Sequence, residues 1–381
     1  MHIRFQALGT EMKTGYSLKF HTLHIPFRQR FAHASADRAE TSSVWIEATG
    51  SDGQTGWGEA CPRPYVTGET LETARAFFND IQASVLSELC DADSLRHWVT
   101  THAPLIDRNP AAWCAIELAL IDLFSKQSAK TAEAWLELPA TLGTFQYSAV
   151  LGDADLSTFA ATFKRYRETG MTDFKLKLSG KLEHDQDKLT LLKDAGPAVS
   201  RLRLDANNLW DSLDTGLNYL AKLNAHAFAI EEPLTTRLRG ELASLAQTFD
   251  MAIILDESLC RIEELADYAA GTNWIPNVRV SKMGGVLRSL AIVDAARARD
   301  MSLIIGAQVG ETSLLTRAAL TITRAAGKSL IAQEGAFSTH LLEQDVCTPS
   351  LIFGAKGLLQ FDSTQPGWGL ACLPDHAWLR E

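Results

Sequence analysis

The chain has 381 residues, 46% hydrophobic and 22% charged, with 46 acidic against 36 basic side chains and a formal charge of −10. This near-average composition excludes a mainly disordered chain, and the length suggests two domains or one large barrel with additions. The negative charge argues against binding nucleic acid or an anionic membrane over a broad surface, but leaves room for a local basic pocket holding an anionic substrate.

In the opening stretch, charges and glycines interrupt every apolar run, so no signal-peptide core is expected. No run of 18 apolar residues predicts a membrane helix. The six cysteines are scattered without a CxxC pair, the pattern of reduced thiols in a cytoplasmic enzyme. Ser43–Glu47 alternates in the strand period, and glycines between Gly50 and Gly58 supply turns. Helical patterns cover Thr73–Leu89 and Ala111–Ser125; the second is apolar on nearly all sides and is expected to be buried. Residues 1–145 therefore read as an α+β region ending in a helix packed on whatever follows.

From Phe145 the pattern changes to short apolar strands, each ending in polar or charged residues and followed by a helical stretch. Their ends carry Lys175 (DFKLKLS), Asp205 (RLRLDANN), Glu231 (FAIEEPL), Asp256 (AIILDESL) and Lys282 (VRVSKMGG), 25 to 30 residues apart. Tyr147–Gly152 precedes them, and Ser302–Glu311 and Ser329–Phe337 follow, giving eight strands. Such βα units predict a closed (β/α) barrel over residues 146–352. An open doubly wound sheet lacks its Gly-rich GxGxxG turn here. Residues 353–381 hold turns around LLQFD and are expected to return to the N-terminal region.

The active face of such a barrel is the C-terminal end of its strands. Asp205, Glu231 and Asp256 would converge there, flanked by Lys175 and Lys177 on one side and Lys282 on the other. Three carboxylates repel one another unless a hard divalent cation joins them; Mg²⁺ suits, with Mn²⁺ as substitute, and a set without His or Cys disfavours Zn²⁺. Lys175 and Lys177 lie two apart and face the same way. Adjacent ammonium groups should lower the pKa of one of them, making a general base. Each element also has a structural explanation, since acids commonly cap the helix after a strand. Position alone does not decide between Glu231 and Glu232, or between Asp256 and Glu257.

KLK, LDANNLW, IEEP, LDES and KMGG at these spacings resemble the enolase superfamily, and lysines on both sides of the site resemble its muconate-lactonizing subgroup. The resemblance implies a (β/α)₇β barrel capped by the N-terminal region and the C-terminal tail. It implies metal ligands at Asp205, Glu231 and Asp256, an acid/base at Lys177 tuned by Lys175, and an opposing lysine at Lys282. Asn207, Glu257 and Glu311 would support the site. The implied activity is Mg²⁺-dependent proton abstraction α to the carboxylate of a small-molecule substrate, most of all that of a muconate-type cycloisomerase. N-acylamino acid racemase, dipeptide epimerase and o-succinylbenzoate synthase are the alternatives within the superfamily. The Gln333–Thr339 segment, with Glu334 and no Asp pair, counts against the dipeptide epimerase. Arg30, Phe31, His33 and Tyr65 are candidate specificity residues in the cap. A Schiff-base lyase would leave the three carboxylates without a role. A closed homo-oligomer is the default expectation for such an enzyme.

Overall fold

The computed structural model describes residues 15–33, 36–271, 273–373 and 377–380. The chain opens with strands β1 (Tyr16–Leu23), β2 (Pro26–His33), β3 (Ala36–Glu40), β4 (Ser43–Gly50) and β5 (Thr55–Ala60). β1, β4 and β5 form an antiparallel sheet, and β2 and β3 form a separate hairpin. The tail returns to that sheet: Leu379–Arg380 pairs with the free edge of β1. Helices α1 (Leu71–Glu88), α2 (Ala92–Thr101) and α3 (Pro110–Gln127) follow. Thr70 and Thr73 cap α1 reciprocally. On α3 every residue from Pro110 to Ser125 is buried, as its all-round apolar pattern predicts. Gly56 and Gly58 make this possible: a Cβ at either would overlap the α3 backbone at Ala119 or Ala115.

After β6 (Gly143–Gln146), which pairs with Leu358–Phe361 of the tail, the barrel begins. Its strands are β7 (Ala149–Leu151), β8 (Asp173–Lys177), β9 (Arg201–Asp205), β10 (Ala229–Glu231), β11 (Ala252–Leu255), β12 (Trp274–Val278), β13 (Leu303–Ile305) and β14 (Leu330–Gln333). They lie side by side in chain order and all pair parallel. The Ser148 amide, donating to Gln333 O at 2.9 Å, ties the first strand to the last. The connections are α4 (Leu156–Glu168), α5 (Leu182–Asp194), α6 (Leu213–Leu223), α7 (Leu242–Phe249), a 3₁₀ turn (Ile262–Asp267), α8 (Val286–Arg297) and α9 (Ser313–Ala326). The fifth connection thus departs from the expected helix. The Glu264 carboxylate draws in the amides of Cys260 and Arg261 and tightens that turn.

Strand alternation sorts the side chains. Phe174, Leu176, Leu204, Ile230, Ile253 and Leu255 belong to the large core that continues into the cap. Ala229, Ile254, Ile275, Ile304 and Ala332 form a small separate plug inside the barrel. Above the plug, the inward positions nearer the strand ends are charged.

Candidate active site

Register carries the charges to one place: Lys177 pairs with Asp205, and Asp205 with Glu231, on three adjacent strands. Lys175 is buried, and its Nζ lies 2.7 Å from Glu231 Oε2, 3.0 Å from Asp205 Oδ2 and 3.2 Å from Glu334 Oε2. Lys177 Nζ donates to Asp205 Oδ2 at 2.9 Å and to Asn207 Oδ1 at 2.6 Å. Asn207 adopts a left-handed backbone, and its amide donates to Asp205 Oδ1. That conformation, which Asn tolerates better than most residues, brings its side chain to Lys177.

Glu231 Oε1 accepts from Asn277 Nδ2 at 3.1 Å and from Arg279 Nη2 at 3.3 Å. The same Nη2 touches Asp256 Oδ2. Glu232 faces away and braces the next loop, accepting from the amides of Asp256 and Ser258 and from the Ser258 hydroxyl. Geometry therefore selects Glu231 over Glu232 and Asp256 over Glu257 for the converging set. Glu257 lines the cavity instead, and its Oε2 is buried without a hydrogen bond.

Lys282 is not where the sequence reading put it. It is fully buried on the helical turn Val280–Met283 beyond β12 and does not line the cavity. Its Nζ donates to Asp256 O, Asp256 Oδ1 and Asn277 O at 2.7 to 2.9 Å, which uses all three of its protons. The cation of this segment that does line the cavity is Arg279, the residue that follows β12. Strand period two, from Ile275 through Asn277 to Arg279, is the sequence signal for this inward side chain. Arg203 was also missed. It is buried beneath the site and donates to Glu334 Oε1 at 2.7 Å and to Asp173 Oδ1 at 2.9 Å.

The cavity has a volume of about 290 Å³. Lys175, Lys177, Asn207, Glu257, Arg279 and Glu334 form its polar floor, and Tyr65 and Glu311 also line it. Phe159, Tyr166, Phe337 and Leu341 give it an apolar flank. The backbones of Arg30, Phe31 and His33 belong to β2, and their side chains lie outside the described residues. Arg63, two residues before Tyr65, is tied to the carbonyls of Ser42, Pro62 and Val309.

Burial works against the charge on Lys175, but Asp205, Glu231 and Glu334 more than reverse this, so its pKa is raised. Burial would raise Asp205, yet Lys175 and Lys177 hold it below the usual carboxylate range. Glu231 is pushed up to about 8, chiefly by burial and against the pull of Lys175. Burial likewise takes Glu257 and Glu311 to about 8, whereas Lys175 and Arg203 outweigh burial at Glu334 and bring it down to about 2.

Asp205, Glu231 and Asp256 supply hard oxygen donors from successive strand ends, all three buried and held by cationic side chains. That donor chemistry fits Mg²⁺. In this structure Lys175 bridges the first pair of these acids and Arg279 the second. Among the described residues, no three His, Cys, Asp or Glu side chains stand at metal-chelating spacing.

A capped eight-stranded parallel barrel with lysines and acids on its strand ends defines the class. The chain belongs to the enolase superfamily: the enolase C-terminal domain-like family matches residues 158–376. Its relatives are named as epimerases, and it is an isomerase of that superfamily. It is 26% identical over 309 residues to a hydrophobic dipeptide epimerase of Roseobacter litoralis, covering 80% of this chain and 86% of that one. It is 25% identical over 361 residues to the o-succinylbenzoate synthase of Bacillus subtilis, covering 91% of each. The dipeptide epimerase of Cytophaga hutchinsonii, solved with Mg and D-Ala-L-Val, superposes with a TM-score of 0.82 at 20% identity over 96% of this chain and 98% of that one. No helix among the described residues is long and apolar enough to cross a membrane.

Proposed function

We propose that the enzyme isomerises a small carboxylate by moving the proton on the carbon α to that carboxylate, with Lys177 as the acid/base. The observation that carries this reading is the placement of Lys177: its amine lines the cavity, held by Asp205 and Asn207 beside three converging carboxylates. Asp205, Glu231 and Asp256 would hold Mg²⁺, with Mn²⁺ as substitute. When bound, the ion supplies positive charge for the enediolate that forms as the proton leaves. Lys175 fixes the spacing of Asp205 and Glu231 and adds a permanent positive charge at the floor. Tyr65 and Glu311 complete the walls, and residues 1–145 with 353–381 would form the cap over the barrel of residues 146–352.

The relatives' names favour the alternatives over muconate cycloisomerisation. Two of them concern hydrophobic dipeptides and o-succinylbenzoate, carboxylates with an apolar or aromatic body, and others concern dipeptides with charged residues. The flank of Phe159, Tyr166, Phe337 and Leu341 suits such a body. Glu334 is already engaged by Arg203 and Lys175, which leaves it poorly placed to bind the ammonium of a free dipeptide. A carboxylate without a free ammonium, such as an aryl-substituted diacid, fits the charge balance better.

The test is wash-in of deuterium at the α-carbon. The enzyme is incubated with Mg²⁺ in D₂O against N-acylamino acids, dipeptides and aryl diacids and read by mass spectrometry. Exchange that disappears in Lys177→Ala supports the reading. Exchange that survives Lys177→Ala, or is indifferent to EDTA, overturns it.

A further inference from the structure

The two sides of the cavity do not carry the same chemistry. In a closed ring of eight strands, strands four apart face each other across the axis. β8 and β12 are four apart in this barrel. β8 brings two amines to the cavity, Lys175 and Lys177. β12 leads into a guanidinium, that of Arg279, whose Nη1 donates to Gln308 Oε1 at 3.1 Å while Nη2 reaches Glu231 and Asp256. The lysine that follows β12 is withdrawn from the cavity, its three protons donated to fixed acceptors. Among the described residues that line the cavity, no lysine stands on the β12 side.

We propose that Arg279, not Lys282, is the group opposite Lys177, so that the site carries an exchangeable amine on one face only and moves the proton on that face. This rests on the reading of Lys177 as acid/base. A guanidinium does not accept a proton under conditions in which proteins fold, and it binds carboxylates through its planar fork. Arg279 therefore holds charge opposite the base: the substrate carboxylate, or the oxygens of the enediolate.

Two balanced outcomes follow from a one-faced site. In the first, the Cα–H bond breaks, the proton passes to the Lys177 amine, and the ammonium returns it to the same face of the same carbon. In the second, the electron pair freed at Cα forms a carbon–carbon double bond as a bond from Cβ to oxygen breaks. The oxygen leaves with its pair and takes the Lys177 proton; where that oxygen belongs to the same molecule, the result is ring opening and the product is an isomer. Inversion at Cα needs a donor on the far face and is not available to the wild-type chain.

Arg279 also touches two of the three acids that would hold the metal, so guanidinium and metal compete for the same oxygens. This gives a test that needs no substrate. Mg²⁺ is titrated into the full-length chain by calorimetry for wild type, Arg279→Gln, Arg279→Lys and Lys282→Met, with melting temperature measured alongside. The expected result is Mg²⁺ affinity at least tenfold tighter in Arg279→Gln with its melting temperature within a few degrees of wild type. Lys282→Met, which strips the partners from Asp256 and from the Asn277 carbonyl, should lose melting temperature. Unchanged Mg²⁺ affinity in Arg279→Gln overturns the placement of Arg279.

The stereochemical arm uses the same carboxylate panel in D₂O, read by chiral chromatography. Wild type should exchange the α-proton of its probe with retention or open a ring, and Arg279→Lys should begin to form the opposite isomer. Inversion by the wild type overturns the one-faced site while leaving the role of Lys177 intact. Absence of Mg²⁺ binding in every variant defeats instead the metal-assisted reading beneath it. If no probe exchanges, the calorimetric arm alone decides.

Discussion

Buried carboxylates occur in two regions of this molecule, and they are satisfied in opposite ways. Where the cap meets the barrel, Glu117 of α3 accepts from the amides of Val286 and Leu287 at the start of α8 and from Trp113 Nε1. Glu59, at the end of β5, accepts from the amide and hydroxyl of Thr312 and the amide of Leu315 at the start of α9. At the barrel mouth, Asp205, Glu231, Asp256 and Glu334 face Lys175, Lys177, Arg203, Arg279 and Lys282 instead.

The difference is chemical. Backbone amides at a helix start are fixed in place and bear only partial charge, so they satisfy an acid without ionising it fully. Burial accordingly pushes Glu59 and Glu117 up to about 7. Full cations outweigh burial at Asp205, Asp256 and Glu334 and keep them ionised. One region uses acids as joints; the other uses them as a charge store that a ligand can redistribute.

The largest effect that would sharpen this contrast is at the mouth. Lys177→Ala should lower α-proton exchange by 10² to 10⁴, the range for a general acid or base, with little change in melting temperature. Next, Asp256→Asn should abolish stoichiometric Mg²⁺ binding by calorimetry and reduce exchange about as far. Binding and exchange that both persist would remove Asp256 from the site.

At the joint the effects should be on stability alone. Glu117→Ala strips the partners from two amides of α8 and one indole N–H. It should cost about 2 to 5 kcal/mol in denaturant unfolding, from one to three kcal/mol for each polar group left dry after partial relaxation. Mg²⁺ affinity should not change beyond the folded fraction. A changed affinity in the folded protein would break the division between joint and mouth.

The smallest effect is a pH dependence. A carboxyl raised to about 7 from 4.5 favours the protonated folded state. Its stability contribution is complete below about pH 4.5 and is lost as pH rises through 7, by up to ~3 kcal/mol. Glu117→Gln does not titrate. Relative to that variant, wild type should become progressively less stable between pH 4.5 and 7, measured as the difference between their unfolding midpoints in guanidinium chloride. A difference that is flat with pH would falsify the assignment of a raised pKa to this acid.

The sequence by itself determined the repeating strand and helix pattern, the buried α3 helix, and the order of charged strand ends from Lys175 to Asp256. These are local or periodic signals, because alternation and spacing are properties of the chain before it folds. Tertiary structure decided which of two neighbouring acids turns inward, since Glu231 and Glu232 differ only in how the chain bends at the strand end. It decided that Glu334 is held by Arg203 and Lys175 from two other strands, a partnership that exists only once the barrel closes. It also exchanged Lys282 for Arg279. Only Val280 and Ser281 separate them in sequence, and only packing of that turn against Asp256 and Asn277 buries the amine and leaves the guanidinium at the cavity.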